Sequence, residues 1–440
     1  MNRKERIEFA KWAMDRTLKC GANQAAVVIS YGRDIEIEYR DKRLEKLQES
    51  TSSSMSLQVY AQNRYSAHST NDLRKEAVEK FIENAVAMTK YLTEDPHRSL
   101  ADPKYYPTGP KTDLKIRDAA YEKVESAERV KIAAAIEAAA LAQSNQIISV
   151  TSGYNDSHYE TVRVHSNGFT GESEGTVFSA GAEVTVKDGE SGRPEDWYYA
   201  STRFYNDLPS PEILGKNAAE RALRKIGQDK IESGIFDMIV ENRASSRLFG
   251  ILQGPMTASA LQQKNSFLEG MLGKQIASEK LTVIDDPFVE AGMGSRLFDS
   301  EGIAAKRRVI IDKGVLQQYY VDNYYGKKLG MEPNGGSTTN VLFEYGTQSL
   351  EDMIKSLPKG ILVNGFVGGN SNSTTGDFSF GITGLLIEDG RLVKPINEMN
   401  ISGNALELWK NLVTVGNDPY PYSSWRIPSL QFSGVNFSGI

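Results

Sequence analysis

Ala127–Ala142, AERVKIAAAIEAAALA, followed by Gln146–Ser152, QIISVTS, sets an alanine-rich helix directly before a strand. Alanine carries the highest intrinsic helix propensity, and β-branched residues in alternation favour a half-buried strand. Tyr159 to His165, Thr176 to Val186 and Trp197 to Phe204 alternate in the same way, and Asn206-Asp207 precede a helix over 211–226. A helix, a run of strand segments and a closing helix read as an α–β–β–β–α unit. Towards the N-terminus the order recurs. A helical period over Arg3 to Leu18 stops at Gly21-Ala22-Asn23. Ala26 to Ser30, Asp34 to Tyr39 and Met55 to Tyr60 read as strands, and Thr70-Asn71-Asp72 as the N-cap cluster of a helix over 73–91. Two units of one pattern read as a duplication.

Between them, residues 94–115 hold Pro96, Pro103, Pro107 and Pro110, the mark of a linker or an irregular strap. From 229 onward the composition changes. Phe236 to Val240 is an apolar strand, a helix spans 244–261, and most segments beyond Leu281 are short strands separated by Gly, Asn and Asp. Helices over 350–356 and 403–412 interrupt them. The predicted class is therefore α+β. Two N-terminal α/β units (1–93 and 116–228) precede a large, mainly antiparallel β domain over 229–440.

The 440 residues include 51 basic and 57 acidic side chains, a net charge of −6. That balance disfavours direct nucleic-acid binding, which calls for a basic surplus. Lys306-Arg307-Arg308 is a short basic run that reads as a solvated strand edge. No stretch reaches the ~18 apolar residues of a membrane span, and the charged N-terminus does not resemble a signal peptide. Cys20 is the only cysteine, so an internal disulfide and every CxxC metal pattern are excluded. A cytoplasmic location is the expectation.

The four histidines, His68, His97, His158 and His165, form no HExxH pair and read as polar surface. The Gly-Lys pair within 270–275 lacks the remainder of a phosphate loop. Gly171-Glu172-Ser173-Glu174-Gly175 fits GxSxG, but its predicted context is a polar hairpin loop, and two glutamates would oppose an oxyanion. Gly368-Gly369-Asn370 and Thr375-Gly376-Asp377-Phe378-Ser379 make a dense stretch of glycine and small polar residues. Such a stretch either builds tight turns or lets a backbone approach an extended peptide closely.

At these residues the chain resembles the TldD/PmbA family, once described as modulators of DNA gyrase. The resemblance spans nearly the whole chain and is strongest in a series of segments from Ser266 onward. These are Ser266-Phe267-Leu268, Leu281 to Pro287, Phe298-Asp299-Ser300-Glu301-Gly302, Thr375 to Ser379, Ile387 to Gly390, Ser402-Gly403-Asn404 and Gly416-Asn417-Asp418. Ser300 departs from the pattern, which has another acid there.

The resemblance implies two branches. Catalytic members carry a His-Glu-x-x-x-His helix and a later Cys that hold zinc, whose bound water becomes the nucleophile. The other branch lacks these ligands. In the corresponding alignment Phe249, Gly250 and Gly254 stand at the His, Glu and His positions and Val415 near the Cys. No histidine lies beyond His165, so no shift of register supplies one.

The chain is thus expected to hold no metal and no catalytic residue of its own and to be inactive alone. Zinc is expected in a TldD-like paralogous partner, with which this chain forms a heterodimer or larger assembly acting on unfolded peptides or peptide precursors. A homodimer is allowed when that partner is missing. Asn370, Asp377 and Asn404 are the candidate peptide contacts, by strand addition. Two alternatives stand beside this reading: a regulatory protein binding gyrase or another partner, and a self-sufficient hydrolase built on Ser173 or on carboxylates such as Asp285 and Asp286.

Overall fold

A computed structural model describes residues 1–109 and 112–440. Pro110, the last proline of the expected linker, lies outside the described residues. The first unit runs α1 (Arg3–Lys19), β1 (Gln24–Arg40), β2 (Arg43–Ala61), β3 (Arg64–Thr70) and α2 (Lys75–Thr89). The second runs α3 (Ser126–Leu141), β4 (Ile147–His165), β5 (Thr170–Val186), β6 (Glu195–Thr202) and α4 (Pro211–Leu223). Both keep the α–β–β–β–α order. They share one six-stranded sheet, β3-β2-β1-β4-β5-β6, in which each unit supplies three strands in mirrored order and β1 pairs antiparallel with β4 at the centre.

The strands are longer than the sequence suggests. The segments expected at 26–30 and 34–39 are one strand, and those at 146–152 and 159–165 are another. Tyr31-Gly32-Arg33 looks like a turn, yet Gly32 pairs with Ser52 on one side and Tyr159 on the other. Ladder bonds on both edges override the local signal. The tight turns lie elsewhere: Asp41-Lys42 and Gln62-Asn63 all have φ between 51° and 59° and close two-residue hairpins. The expected cap at Thr70-Asn71-Asp72 is corrected too. Arg74 is the N-cap of α2 without a side-chain cap bond, because Asp72 instead accepts from the Arg74 backbone N–H and guanidinium.

One face of the sheet is covered. Val27 and Ile29 are buried with Phe9, Val78 and Ile82 of α1 and α2, while Ile35 and Ile37 are buried with Ile136, Leu214 and Ala218 of α3 and α4. Gly215 lets α4 cross α3 closely, since a Cβ there would stand 2.4 Å from the Ile136 carbonyl oxygen. The opposite face carries small and polar residues such as Ser30, Gly32, Thr161, Ser173 and Gly175. The segment after α2 straps this sheet to the C-terminal part. Leu100 and Leu114 are buried, Ala304 N–H donates to the Tyr105 carbonyl (2.8 Å), Ala291 N–H to that of Leu114 (2.9 Å), and Asn323 Nδ2 to that of Ser99 (2.8 Å).

The C-terminal part comprises β7 (Gly234–Val240), α5 (Asn242–Gln253), α6 (Ala258–Gln262), β8 (Val283–Asp286), β9 (Arg308–Asp312), β10 (Val315–Leu316), α7 (Asn323–Leu329), β11 (Asn340–Phe343) and α8 (Leu350–Ser356). Then follow β12 (Lys359–Ser371), β13 (Asp377–Glu388), β14 (Arg391–Asn404), α9 (Ala405–Lys410), β15 (Leu412–Val415), β16 (Trp425–Arg426) and β17 (Leu430–Ser438). The larger sheet, β14-β13-β12-β7-β17-β15, curls until β14 also pairs with β17. Only β12–β7 is parallel within it. The smaller sheet is β10-β9-β8-β11-β16. The helix expected over 244–261 is broken: Pro255, with no N–H to donate, sits in a 3-10 turn between α5 and α6.

Three further expectations are corrected. Gly171–Gly175 is no loop but part of β5, with Ser173 opposite Thr161. His158 and His165 are buried rather than surface residues, His158 against Tyr121 and His165 against Phe169. Arg308 is also buried, donating through Nε and Nη2 to Asp285 Oδ2 at 3.0 and 2.8 Å, while Lys306 and Arg307 are exposed. Asp285 is wholly buried and accepts from Thr339 as well, so it is a structural acid. Among the described residues no helix is long and apolar enough to cross a membrane.

Candidate functional site

Two regions gather chemistry-bearing residues. The first is the exposed flank of α5. β7 leads straight into this helix, and Asn242 at its first turn is fixed by its N–H to Ser429 Oγ (3.1 Å) and its Nδ2 to the Asp418 carbonyl (2.7 Å). The inner face of α5 is apolar. Phe249 is wholly buried there, edge-on to Phe343, Trp409 and Trp425. Gly250 looks the other way, into a cleft of about 520 Å³ bounded by Ser246, Arg247, Phe380, Ser423 and Trp425. Gly254 ends the helix, its N–H donating to the Gly250 carbonyl. A Cβ at either glycine would meet nothing within 4 Å. Val415 is buried on β15 opposite Leu430, which in turn pairs with Val240, two residues before α5 begins.

The ladder thus sets the strand of Val415 two strands from the root of α5. The residues at these four positions do not fit a zinc ion. Phe, Gly, Gly and Val offer no donor side chain, and Phe249 is committed to an aromatic cluster. Among the described residues no three His, Cys, Asp or Glu side chains gather to hold a metal.

The cleft continues along α5 past two arginines. Arg247 lies over the Phe380 ring (4.7 Å) and Arg243 over Trp197 (4.2 Å), with Arg243 Nη2 donating to the Trp197 carbonyl. The β12–β13 hairpin forms the opposite wall. Gly369 has φ 86° where the strand bulges, and a Cβ there would stand 2.3 Å from the Ser379 carbonyl oxygen. Of the three expected peptide contacts, Asp377 and Asn404 face each other across β13 and β14. Asn404 Nδ2 donates to Asp377 Oδ1 (3.1 Å) and to the Thr375 carbonyl (2.9 Å), while its Oδ1 caps α9 through Leu406 N–H. The Thr375 hydroxyl and Asn404 amide hold the Asp377 carboxyl below its ordinary range. Asn370 is exposed on the same hairpin, opposite Ser379.

The second region is a cavity of about 910 Å³ where the polar face of the N-terminal sheet meets the strap and the C-terminal part. Thr161, Arg163 and Ser173 form its floor, with Leu114, Ile116, Leu297 and Phe298 among the apolar walls. The segment 298–302, singled out by the family resemblance, borders it. Asp299 Oδ1 accepts the N–H groups of Glu301 and Ile303 (2.8 and 2.9 Å), and burial raises its carboxyl pKa. Ser173 is exposed and has no hydrogen-bonded base among the described residues, which a nucleophilic serine requires. The cavity is not legible in the sequence because its floor and walls come from segments as far apart as Leu114 and Phe298.

The sequence matches the PmbA/TldA metallopeptidase domain 1 over residues 25–89, the central domain over 120–226 and the C-terminal domain over 233–439. It is 31% identical over 419 residues to metalloprotease PmbA of Escherichia coli O157:H7, covering 94% of this chain and 92% of that protein. The fold superposes on a candidate modulator of DNA gyrase from Bacteroides thetaiotaomicron with a TM-score of 0.97, 44% identity and 100% of both chains covered. TldE from Thermococcus kodakarensis shares the fold (TM-score 0.86, 23% identity, 98% of this chain and 100% of that one). The chain belongs to the PmbA/TldD metallopeptidase family.

Proposed function

We propose that this chain is the zinc-free, non-catalytic partner subunit of a peptidase complex whose metal is carried by a TldD-like paralogue. The observation that carries this reading is Phe249. It occupies the position of the expected first metal ligand and is wholly buried in an aromatic cluster, so no rotamer change brings a donor atom there. Gly250 and Gly254 supply neither base nor ligand. Without a metal-activated water or an activated serine, the chain has no nucleophile for peptide hydrolysis.

In this reading the subunit supplies wall surface. The cleft beside α5, the hairpin bearing Asn370 and Asp377, and Asn404 at the end of β14 border the path of an extended substrate, which strand edges bind through main-chain hydrogen bonds. The complex acts on unfolded peptides or peptide precursors in the cytoplasm. The acidic balance of the chain gives no support to direct DNA contact.

Co-expression with a zinc-bearing paralogue and size-exclusion chromatography with light scattering tests the assembly. A stable complex containing both chains is expected. Two chains that elute apart at micromolar concentration contradict it.

A further inference from the structure

The 910 Å³ cavity is lined by charges of both signs that are unevenly paired. Three glutamates on its wall are matched by arginines: Glu172 by Arg3, Glu160 by Arg6 and Glu174 by Arg117 at 3.6 Å. Asp113 accepts the Lys115 N–H, and Lys115 Nζ turns to Glu290. Among the described residues, three arginines of the lining pair with no carboxylate. Arg203 is held by the carbonyls of Thr176 and Met293 and by the Tyr159 hydroxyl. Arg296 donates through Nη2 to Ser337 and keeps a buried Nε with no partner. Arg163, on the floor, makes no hydrogen bond or ion pair among the described residues. Against them stand Asp299, whose Oδ1 is already engaged by two backbone N–H groups, and Glu301, which with Asp299 attracts Arg163 without pairing with it.

Leaving a guanidinium in a confined space without an anion is costly, and burial does lower the Arg163 pKa. Planar guanidinium groups match carboxylates in bidentate geometry. Beside these cations lie the apolar walls of Leu114, Ile116, Leu297 and Phe298, and the volume falls within the roughly 300–1,000 Å³ of ligand pockets. We propose that this cavity binds the C-terminal end of an extended peptide, its free carboxylate on Arg163 and Arg296 and its last apolar side chains against the Leu114–Ile116 and Leu297–Phe298 walls. That the ligand is a peptide rests on the subunit reading above; the need for a carboxylate rests on the arginines alone.

The test is isothermal titration of the full chain with N-acetyl-Ala-Ala-Leu-Phe as the free acid, the same peptide as its amide, N-acetyl-Ala-Asp-Leu-Phe-amide, and octanoate. The free acid is expected to bind at least 10-fold more tightly than the other three. Arg163→Gln and Arg296→Gln are each expected to bring the acid down to the level of the amide. Because Arg163 makes no hydrogen bond or ion pair among the described residues, and only longer-range attraction to Asp299 and Glu301 opposes its burial, Arg163→Gln should keep the melting temperature, which separates lost binding from lost folding. Equal binding of acid and amide, no heat with the acid, or full binding by Arg163→Gln overturns the proposal. Tighter binding of octanoate or of the internal aspartate overturns the C-terminal assignment. None of these results bears on whether a zinc-bearing paralogue needs this chain, so the two readings fail separately.

Discussion

The ring of Phe249 stands edge-on to the indole of Trp425, centroids 5.3 Å apart and planes at 80°. Phe343 and Trp409 complete the contact, at 5.5 and 6.4 Å. The face of α5 that would have to present a metal ligand is therefore part of the main core of the C-terminal domain. Truncating a fully buried phenylalanine costs about 3–5 kcal/mol, and Phe249→Ala should lower the urea midpoint accordingly. Gly250→Ala should do the opposite. Its Cβ meets nothing within 4 Å, and replacing a mid-helix glycine by alanine stabilises by about 0.5–1 kcal/mol. A destabilised Gly250→Ala would show that the cleft is narrower than described.

Arg129 and Asp156 form a wholly buried ion pair beneath α3, Nε to Oδ2 at 2.6 Å, with Tyr154 donating to the same oxygen at 2.9 Å. Removing one partner of such a pair strands the other in a low-dielectric interior and costs about 3–5 kcal/mol. Asp156→Ala should therefore severely destabilise the N-terminal sheet in chemical denaturation. Asp72→Ala, which removes an exposed partner of Arg74, should leave the midpoint unchanged.

Glu301 carries a pH signature. Burial pushes its carboxyl up to about 7 from 4.5, despite the N–H it accepts from Asn323. Between these values the folded state keeps a proton that the unfolded state has released. The stability this contributes is present below the unfolded pKa and is lost as pH rises through about 7. His165, pushed down to about 3 by burial, works in the opposite sense and costs stability as pH falls below its unfolded value. Subtracting one denaturation series from another isolates the acid. Glu301→Gln, which can still accept the Asn323 N–H, should change little at pH 4.5 and gain on the order of 1–3 kcal/mol at pH 8. An equal effect at both pH values would contradict the buried-acid description.

Much of the fold is legible because local signals agree. The Ala-rich run over 127–142 is a helix in fact, and both units keep the order read from alternation. What is lost is decided at long range. Gly32 and the 153–158 stretch look like breaks and are held in strand by neighbours on both sides. Arg308 looks like surface charge until the fold brings Asp285, 23 residues away, against it. His158 and His165 are buried by segments that no spacing rule connects to them. On the α5 side, Phe249, Gly250 and Gly254 are readable because one helix and its terminal turn carry all three. The arginine-lined cavity is assembled from the strap, two strands and a distant loop, and the two stretches of it that stood out in the sequence, 171–175 and 298–302, carry no sign that they meet.

Whether this chain is a zinc-free partner subunit is decided by bound zinc and cleavage of an unfolded peptide in three preparations: this chain alone, a zinc-bearing paralogue alone, and the two co-expressed. This chain alone is expected to be zinc-free and inactive, and the co-purified pair substantially more active than the paralogue by itself. Stoichiometric zinc or chelator-sensitive cleavage by this chain alone, or a paralogue that needs no partner for full activity, would contradict it.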